Sequence, residues 1–454
     1  MSGVAPGNES GTCSERLAAG LHVMAKPIGP ICNLDCAYCY YLDKERLYPG
    51  ATWRMGPATL DAFVRQYIEA QCEAAGEIVF AWQGGEPTLL DPRFFEEVVA
   101  LQQRYLPPGR RCANTLQTNG LRLDDRWCEL FKRHGFLIGI SLDGPADLHD
   151  RHRVDKQGRP TFAAAWRGLE ALQRHQVEYN VLVVVHRHNG DHGRRIYRFF
   201  RQAGVRHLQF IPLVEPLGNS ARASVGAQPA DLVHERSVLP EQYGEFLTGI
   251  FDEWVYHDVG RVFVQIFDEA LAMWLGREPS LCVFRRRCGR ALAIEHNGDV
   301  YSCDHFVEPD YRLGNIHQLP LVELADSPRQ RQFGEAKETS LPGYCRQCDV
   351  RFACQGECPK NRILHTPDGE PGLNYLCAAY QRFFRHIDPV MRAMASEVRA
   401  GRPPADVMHR LRAARQAAES AGQPSGGRAA QRNAPCPCGS GRKFKHCCGQ
   451  ASGG

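Results

Sequence analysis

The chain has 454 residues, of which 43 % are hydrophobic and 23 % charged, with a formal net charge of +4. That is the composition of a globular protein of two to four domains at roughly 100–200 residues each, and it excludes a disordered or collagen-like chain. The longest strongly apolar run, residues 181–185, is far short of the about 20 residues of a membrane span, and the small net charge gives no reason to expect a membrane or nucleic-acid partner for the whole chain.

In chain order, residues 1–16 lack an apolar stretch, so no secretory signal is expected and a cytoplasmic location follows. From Leu21 to about Pro212 strand-like and helix-like segments alternate. Strands are expected at 78–82, 136–142, 179–185 and 207–211, and helices at 124–134, 161–175 and 196–203. Such alternation implies parallel β/α units, either a barrel or an open doubly wound sheet, with ligands at the carboxyl ends of the strands. The polar loops 83–87 (QGGEP), 117–120 (QTNG) and 141–145 (SLDGP) fall there. Residues 216–240 read as a long loop and 241–257 as a helix. Residues 282–377 are irregular and cysteine-rich, residues 385–415 read as one helix, and 421–432 as a polar linker.

Nineteen cysteines are the compositional anomaly. Without a sign of secretion, clustered thiols are better read as metal or cluster ligands than as disulfides. Fifteen fall into four groups, leaving Cys13, Cys72, Cys112 and Cys128 as ordinary thiols. Cys32, Cys36 and Cys39 have the spacing C-x3-C-x2-C. Three thiolates can hold three irons of a cubane and leave the fourth open to chelate a small molecule, and the alternative is a closed zinc site with a distant fourth ligand. Cys282, Cys288 and Cys303 precede the array Cys345-x2-Cys348-x5-Cys354-x3-Cys358-x18-Cys377. Those eight thiols suffice for two four-iron clusters, or for two structural zinc sites.

The first cysteine group, the aromatic Tyr38 before its last cysteine and the later Gly84-Gly85-Glu86 loop resemble the radical S-adenosylmethionine (SAM) enzymes. The resemblance implies a partial (β/α)6 barrel, α/β in class, with an open iron that binds SAM. It also implies cofactor contacts from Tyr38, Gly84, Gly85, Glu86, Ser141, Arg153 and Val214. Taken alone, the Gly-Gly-Glu could be a simple turn and Arg153 a solvated charge. The eight-cysteine array resembles the SPASM extension of peptide-modifying radical enzymes. The sulfatase-maturase branch implies interleaved ligands, with Cys282, Cys288, Cys303 and Cys358 on one auxiliary cluster and Cys345, Cys348, Cys354 and Cys377 on the other. With the first site, that makes three [4Fe-4S] clusters.

From about Leu21 to His386 the chain resembles the anaerobic sulfatase-maturating enzymes, on strings such as 32–41, 82–89, 177–182 (VEYNVL) and 301–305 (YSCDH). The implied reaction oxidises a cysteine or serine of a target sulfatase to Cα-formylglycine through a 5′-deoxyadenosyl radical, with flavodoxin or ferredoxin as reductant. Asp304, directly after Cys303, is implied as the general base, its alternative being a turn or capping aspartate. Tyr41 and Gln83 are implied near the substrate, and His305 is expected as a hydrogen-bonding neighbour. Alternatives are a maturase that cross-links a precursor peptide, for instance through a thioether, and a non-catalytic iron–sulfur carrier.

The end of the chain, Cys436-x-Cys438-x8-Cys447-Cys448, resembles the SEC-C zinc module, in which four thiolates close a tetrahedral zinc site. It is basic, and reads as a solvated docking tag or as a surface for an acidic partner. The expected organisation is a flexible start (1–20), a radical SAM domain (21–250), an auxiliary-cluster domain (275–385), a helical segment and linker (386–432) and the zinc motif (433–450).

Overall fold

The computed structural model describes residues 21–50, 52–71, 76–217, 229–422, 433 and 441–446. Strands β1 (His22–Lys26), β2 (Glu77–Trp82), β3 (Arg111–Thr118), β4 (Leu137–Ser141), β5 (Tyr179–Val185) and β6 (His207–Pro212) pair in chain order, each parallel to the next. The helices between them are α1 (Pro57–Glu69), α2 (Pro92–Tyr105), α3 (Asp125–His134), α4 (Phe162–Arg174) and α5 (Gly193–Gln202), and α6 (Pro240–His257) follows β6. Six β/α units in this order are the partial barrel that the family resemblance implied, one of the two arrangements the alternation left open.

The local reasons are legible in the chain. In α1, Leu60, Phe63, Val64, Tyr67 and Ile68 repeat at helical spacing, and all are buried. Phe63 and Phe95 meet Trp82 edge-to-face, each with ring centroids 5.9 Å apart. Helix α3 starts where Asp124 caps it by accepting from the Trp127 N–H at 3.0 Å, and it stops at Gly135, whose φ of +63° suits glycine. The Trp82 indole donates to Asn114, which exchanges two hydrogen bonds with Gln102, so these buried polar groups are satisfied.

The cysteine-rich region is more regular than its sequence suggests. Strand β8 (Ala291–Glu295) runs parallel beside β1, in register from His22↔Ala291 to Lys26↔Glu295. Strands β9 (Asp299–Tyr301) and β10 (Arg312–Asn315) add antiparallel pairs, and a short β7 (Phe263–Val264) closes the other edge. One ten-stranded sheet therefore carries both the barrel and the cysteine-rich segment. Apolar alternation such as that of Ala291–Glu295 is too short to stand out among glycines, prolines and cysteines.

The single helix expected at 385–415 is instead two, α7 (Cys377–Arg399) and α8 (Asp406–Gly422). Gly401, with φ of +72°, and Pro403-Pro404 break it, while Pro389 is accommodated inside α7. Helix α7 begins at a cysteine and lies back on the barrel. Gly244 of α6 abuts Ala379, Tyr243 meets Tyr380 at 5.9 Å, and the Tyr375 hydroxyl donates to the Val238 carbonyl at 3.1 Å. Among the described residues no helix is long and apolar enough to cross a membrane.

Candidate active site

Residues singled out by sequence gather at the carboxyl ends of the barrel strands. Gln83 follows β2, the 117–120 loop follows β3, Ser141 ends β4, and Val214 lies two residues past β6, while Lys26, which the sequence did not single out, ends β1. The loop after β1 carries Cys32, Cys36 and Cys39, which are electrostatic neighbours. The Cys39 N–H donates to the Cys36 carbonyl, and the Cys32 sulfur accepts from the Leu34 N–H at 3.3 Å. Burial pushes the Cys32 thiol up to about 11 and the Cys36 thiol up to about 12. Buried thiols this close become thiolates only beside a cation, and three soft donors suit an iron–sulfur cluster.

The Gly-Gly-Glu loop is locked to this cysteine loop. The Gly85 N–H donates to the Gly29 carbonyl at 2.7 Å and the Glu86 N–H to the Ile31 carbonyl at 2.8 Å. Gly84 has φ of +127°, a conformation that other residues rarely adopt. The Glu86 side chain is fully buried and accepts from Thr88 N–H and hydroxyl, the Thr118 hydroxyl and the Asn119 N–H. Burial pushes its carboxyl up against those bonds. The glycines thus let two stretches of the chain's own backbone meet, and Glu86 ties the loops after β2 and β3 together.

Tyr38 is buried, and its hydroxyl donates to Asp143. Arg153 donates from Nε to the same carboxylate at 3.0 Å and lies over the Tyr38 ring, 5.5 Å from its centroid. Burial alone would raise the Asp143 carboxyl. Arg153, with His149, His186 and the Tyr38 hydroxyl, holds it below the usual carboxylate range. Arg153 is therefore a paired, buried cation beside Cys36 and not a solvated charge. Val214 is buried in the main core, and Ser141 is buried at the end of its strand.

A second group lies inside the barrel. Lys26 is 1 % exposed, pairs with Asp304, and donates to Gln83 Oε1 at 3.0 Å. Its ammonium stands 4.6 Å from the centroid of the Tyr41 ring. Gln83 in turn donates to Gln117, and Tyr41 donates to Glu295, the register partner of Lys26. Asp304 opens a short turn after β9 and accepts from the Tyr40 hydroxyl at 2.7 Å. Its burial raises the carboxyl, but Lys26, His305 and Tyr40 outweigh that and keep it ionised below the ordinary value. The sequence reading missed Lys26, Tyr40 and Glu295, and gave Gln117 and Asp143 no role of their own although it placed their loops, 117–120 and 141–145, at the ligand end of the strands. A lone lysine ending an apolar strand was the available signal for Lys26.

The eight further thiols form two neighbourhoods. Cys303 stands beside Cys358 and Cys282, and Cys358 beside Cys288. Cys354 stands beside Cys377 and Cys345, Cys377 beside Cys348, and all four line one pocket. Burial pushes Cys358 and Cys377 up to about 12. The fully buried Lys337 donates to the Cys282 and Val283 carbonyls at 2.7 and 2.8 Å and stands beside Cys288, Cys282 and Cys358, while Arg362 stands beside Cys345 of the second neighbourhood as well as Cys288 and Cys358 of the first. His305 reaches the Cys358 sulfur from Nδ1 at 3.7 Å. These donor sets fit four-thiolate clusters. Cys128 is buried in α3 and Cys112 half-buried in β3. Cys13, Cys72 and the tail residues Cys436, Cys438, Cys447 and Cys448 lie outside the described residues.

Comparison with known proteins agrees with this fold. The radical SAM superfamily profile matches residues 27–200, the SPASM iron–sulfur cluster-binding domain residues 282–349, and the SEC-C motif residues 432–450. A serine-type anaerobic sulfatase-maturating enzyme of Bacteroides thetaiotaomicron is 44 % identical over 400 residues, covering 87 % of this chain and 96 % of that one. A cysteine-type enzyme of Clostridium perfringens is 31 % identical over 383 residues, covering 84 % and 99 %. The solved structure of anSMEcpe with bound AdoMet and a Cp18Cys peptide superposes with a TM-score of 0.73 at 31 % identity, covering 83 % of this chain and 99 % of that one. With an α/β radical SAM fold, a SPASM domain and relatives of this identity over most of its length, the chain belongs to the anaerobic sulfatase-maturating enzymes of the radical SAM superfamily.

Proposed function

We propose that this chain oxidises a serine of a target sulfatase to Cα-formylglycine, and that a cysteine at the same position is the second substrate. The serine preference is supported by relatives, since the serine-type enzymes are 40–44 % identical and the cysteine-type ones 31–32 %. The observation that carries the reaction is Asp304, held by Lys26 and Tyr40 one residue from a cysteine of the first auxiliary set.

Cys32, Cys36 and Cys39 hold the cluster that binds SAM, and Tyr38, Gly84, Gly85, Glu86, Ser141, Arg153 and Val214 shape the pocket around it. When bound, the cluster with SAM would supply the 5′-deoxyadenosyl radical chemistry needed to remove a Cβ hydrogen, and the auxiliary clusters would supply an acceptor for the remaining electron. Asp304 takes the proton from the side-chain hydroxyl or thiol, at a position fixed by its neighbouring cysteine. Tyr41 and Gln83 orient the substrate beside it. Cys282, Cys288, Cys303 and Cys358 hold one auxiliary cluster, and Cys345, Cys348, Cys354 and Cys377 the other. A flavodoxin or ferredoxin is the reductant, and Cys436, Cys438, Cys447 and Cys448 hold a structural zinc. The radical SAM unit spans 21–250 and the auxiliary unit 275–385.

The test is anaerobic reconstitution with iron and zinc measured per chain. 5′-Deoxyadenosine and peptide mass are then followed with sulfatase-motif peptides carrying serine or cysteine. An aldehyde product, formed faster from serine, is the expected result. No mass change, or a thioether, overturns the reading.

A further inference from the structure

We propose that Lys26 is a positioning residue for this oxidation. Its ammonium fixes the Asp304 carboxylate and the Gln83 amide together, so that Asp304 meets the hydroxyl or thiol of the incoming side chain. The proposal rests on the reading of Asp304 as the base.

A fully buried lysine is rare and costly unless paired. Lys26 lies on the barrel-facing side of β1, on the same face as Met24, whose sulfur is 3.5 Å from its Nζ. For stability alone an apolar side chain would serve there equally well, because replacing a buried ion pair by hydrophobic groups is often neutral or stabilising. The charge is kept for another purpose, and its contacts show which. They are Asp304, Gln83 and the face of Tyr41. Two of these, Gln83 and Tyr41, are the residues placed beside the substrate, and the third is the base.

Exposure gives the arrangement a direction. The Asp304 side chain is 15 % exposed and that of Lys26 only 1 %, and Oδ1, the oxygen paired with Lys26, is buried, so the cation lies beneath the carboxylate. The turn that Asp304 opens has no side-chain cap, and the bonds that hold the carboxylate come from Lys26 and Tyr40, far away in sequence. When the hydroxyl proton passes to Asp304, the bonding electron pair stays on the substrate oxygen. Negative charge moves from Asp304 to that oxygen, and Lys26 provides a fixed positive charge for both ends of the transfer.

The test compares binding of two peptides to SAM-loaded, unreduced protein. One carries the target serine and the other alanine in its place. A hydrogen bond to a charged group gives the wild type a preference for serine of about tenfold or more. Lys26→Gln and Lys26→Met should bring that preference close to one while leaving the alanine peptide's affinity within about threefold. Under reduction, formylglycine per 5′-deoxyadenosine should fall about tenfold or more in both, and Lys26→Arg should recover part of it. Two neutral variants are read together so that poor folding of one does not decide the matter. Retained serine preference and product yield in either folded neutral variant overturns the proposal. Equal loss of affinity for both peptides overturns it too, since that is the mark of a merely structural lysine. If both neutral variants lose the wild type's serine preference but the wild type makes no aldehyde, the oxidation reading fails while the positioning of Asp304 by Lys26 stands.

Discussion

A Cβ built on Gly85 would stand 2.0 Å from the carbonyl oxygen of Ile31, which is the residue just before Cys32. The obstacle is backbone, so it cannot swing aside as a side-chain tip could. The two loops of the proposed SAM site are thus pressed together at a point where only glycine fits.

Gly85→Ala must therefore push the cysteine loop outward. Overpacking of this kind costs about 1–3 kcal/mol. The variant should show a lower Tm than the wild type and should retain less iron after desalting, with SAM cleavage reduced in step. Wild-type iron retention would show that the loops can separate freely.

Asp304→Asn keeps the shape of the side chain and its bond from Tyr40 but removes the negative charge. Loss of a general base typically costs 10²–10⁴-fold in rate, so aldehyde formation should drop at least about a hundredfold. 5′-Deoxyadenosine should still form, because that step does not need the base. Mass spectrometry of the peptide and chromatography of the nucleoside give the two numbers.

The two thiol neighbourhoods make separate predictions for iron. Cys358→Ala removes a donor grouped with Cys282, Cys288 and Cys303, and Cys354→Ala one grouped with Cys345 and Cys377. Each should lower the iron content by up to about four atoms per chain, and the double variant by up to about eight. If both single variants lose the same cluster, as judged by non-additive loss, the partition is wrong.

His149 and His186 are buried, and burial is the main force pushing them down, to about 4 and about 3. The unfolded chain takes up these protons below about pH 6.5, while the folded one resists. The stability tied to them is fully present above that pH and is lost as the pH falls toward the folded values. The loss is up to about 1.4 kcal/mol per pH unit for each residue. Tm should fall between pH 6.5 and 5, and His149→Gln should flatten that slope. An unchanged slope would show that His149 is already protonated or exposed.

Much of the site was legible because its chemistry is spaced along short stretches. The C-x3-C-x2-C run, the Gly-Gly-Glu loop and Asp304 behind Cys303 are local patterns, and the structure gathers them at one end of the sheet. Regular elements with a clear period were equally legible, as with Tyr179–Val185, whose observed bounds match the expected ones. The break near Gly401 was hidden, because the residues on both sides share a helical pattern and Pro389 weakens proline as a stop signal. The strands of the cysteine-rich region were hidden for a different reason. Ala291–Glu295 and Asp299–Tyr301 are too short to show a period; pairing with the edge of β1 makes the first a strand, and pairing with β8 makes the second one.

By itself the sequence determined the kinds of donor, their spacing and the alternation that yields parallel β/α units, since these depend on neighbours within a few residues. Only the tertiary structure decided that Lys26 of β1 pairs with Asp304 and that Asp143 rather than solvent holds Arg153. Those pairings join residues far apart along the chain. They exist because burial excludes water, and each buried charge or thiol must then find its partner among whatever groups the fold brings near.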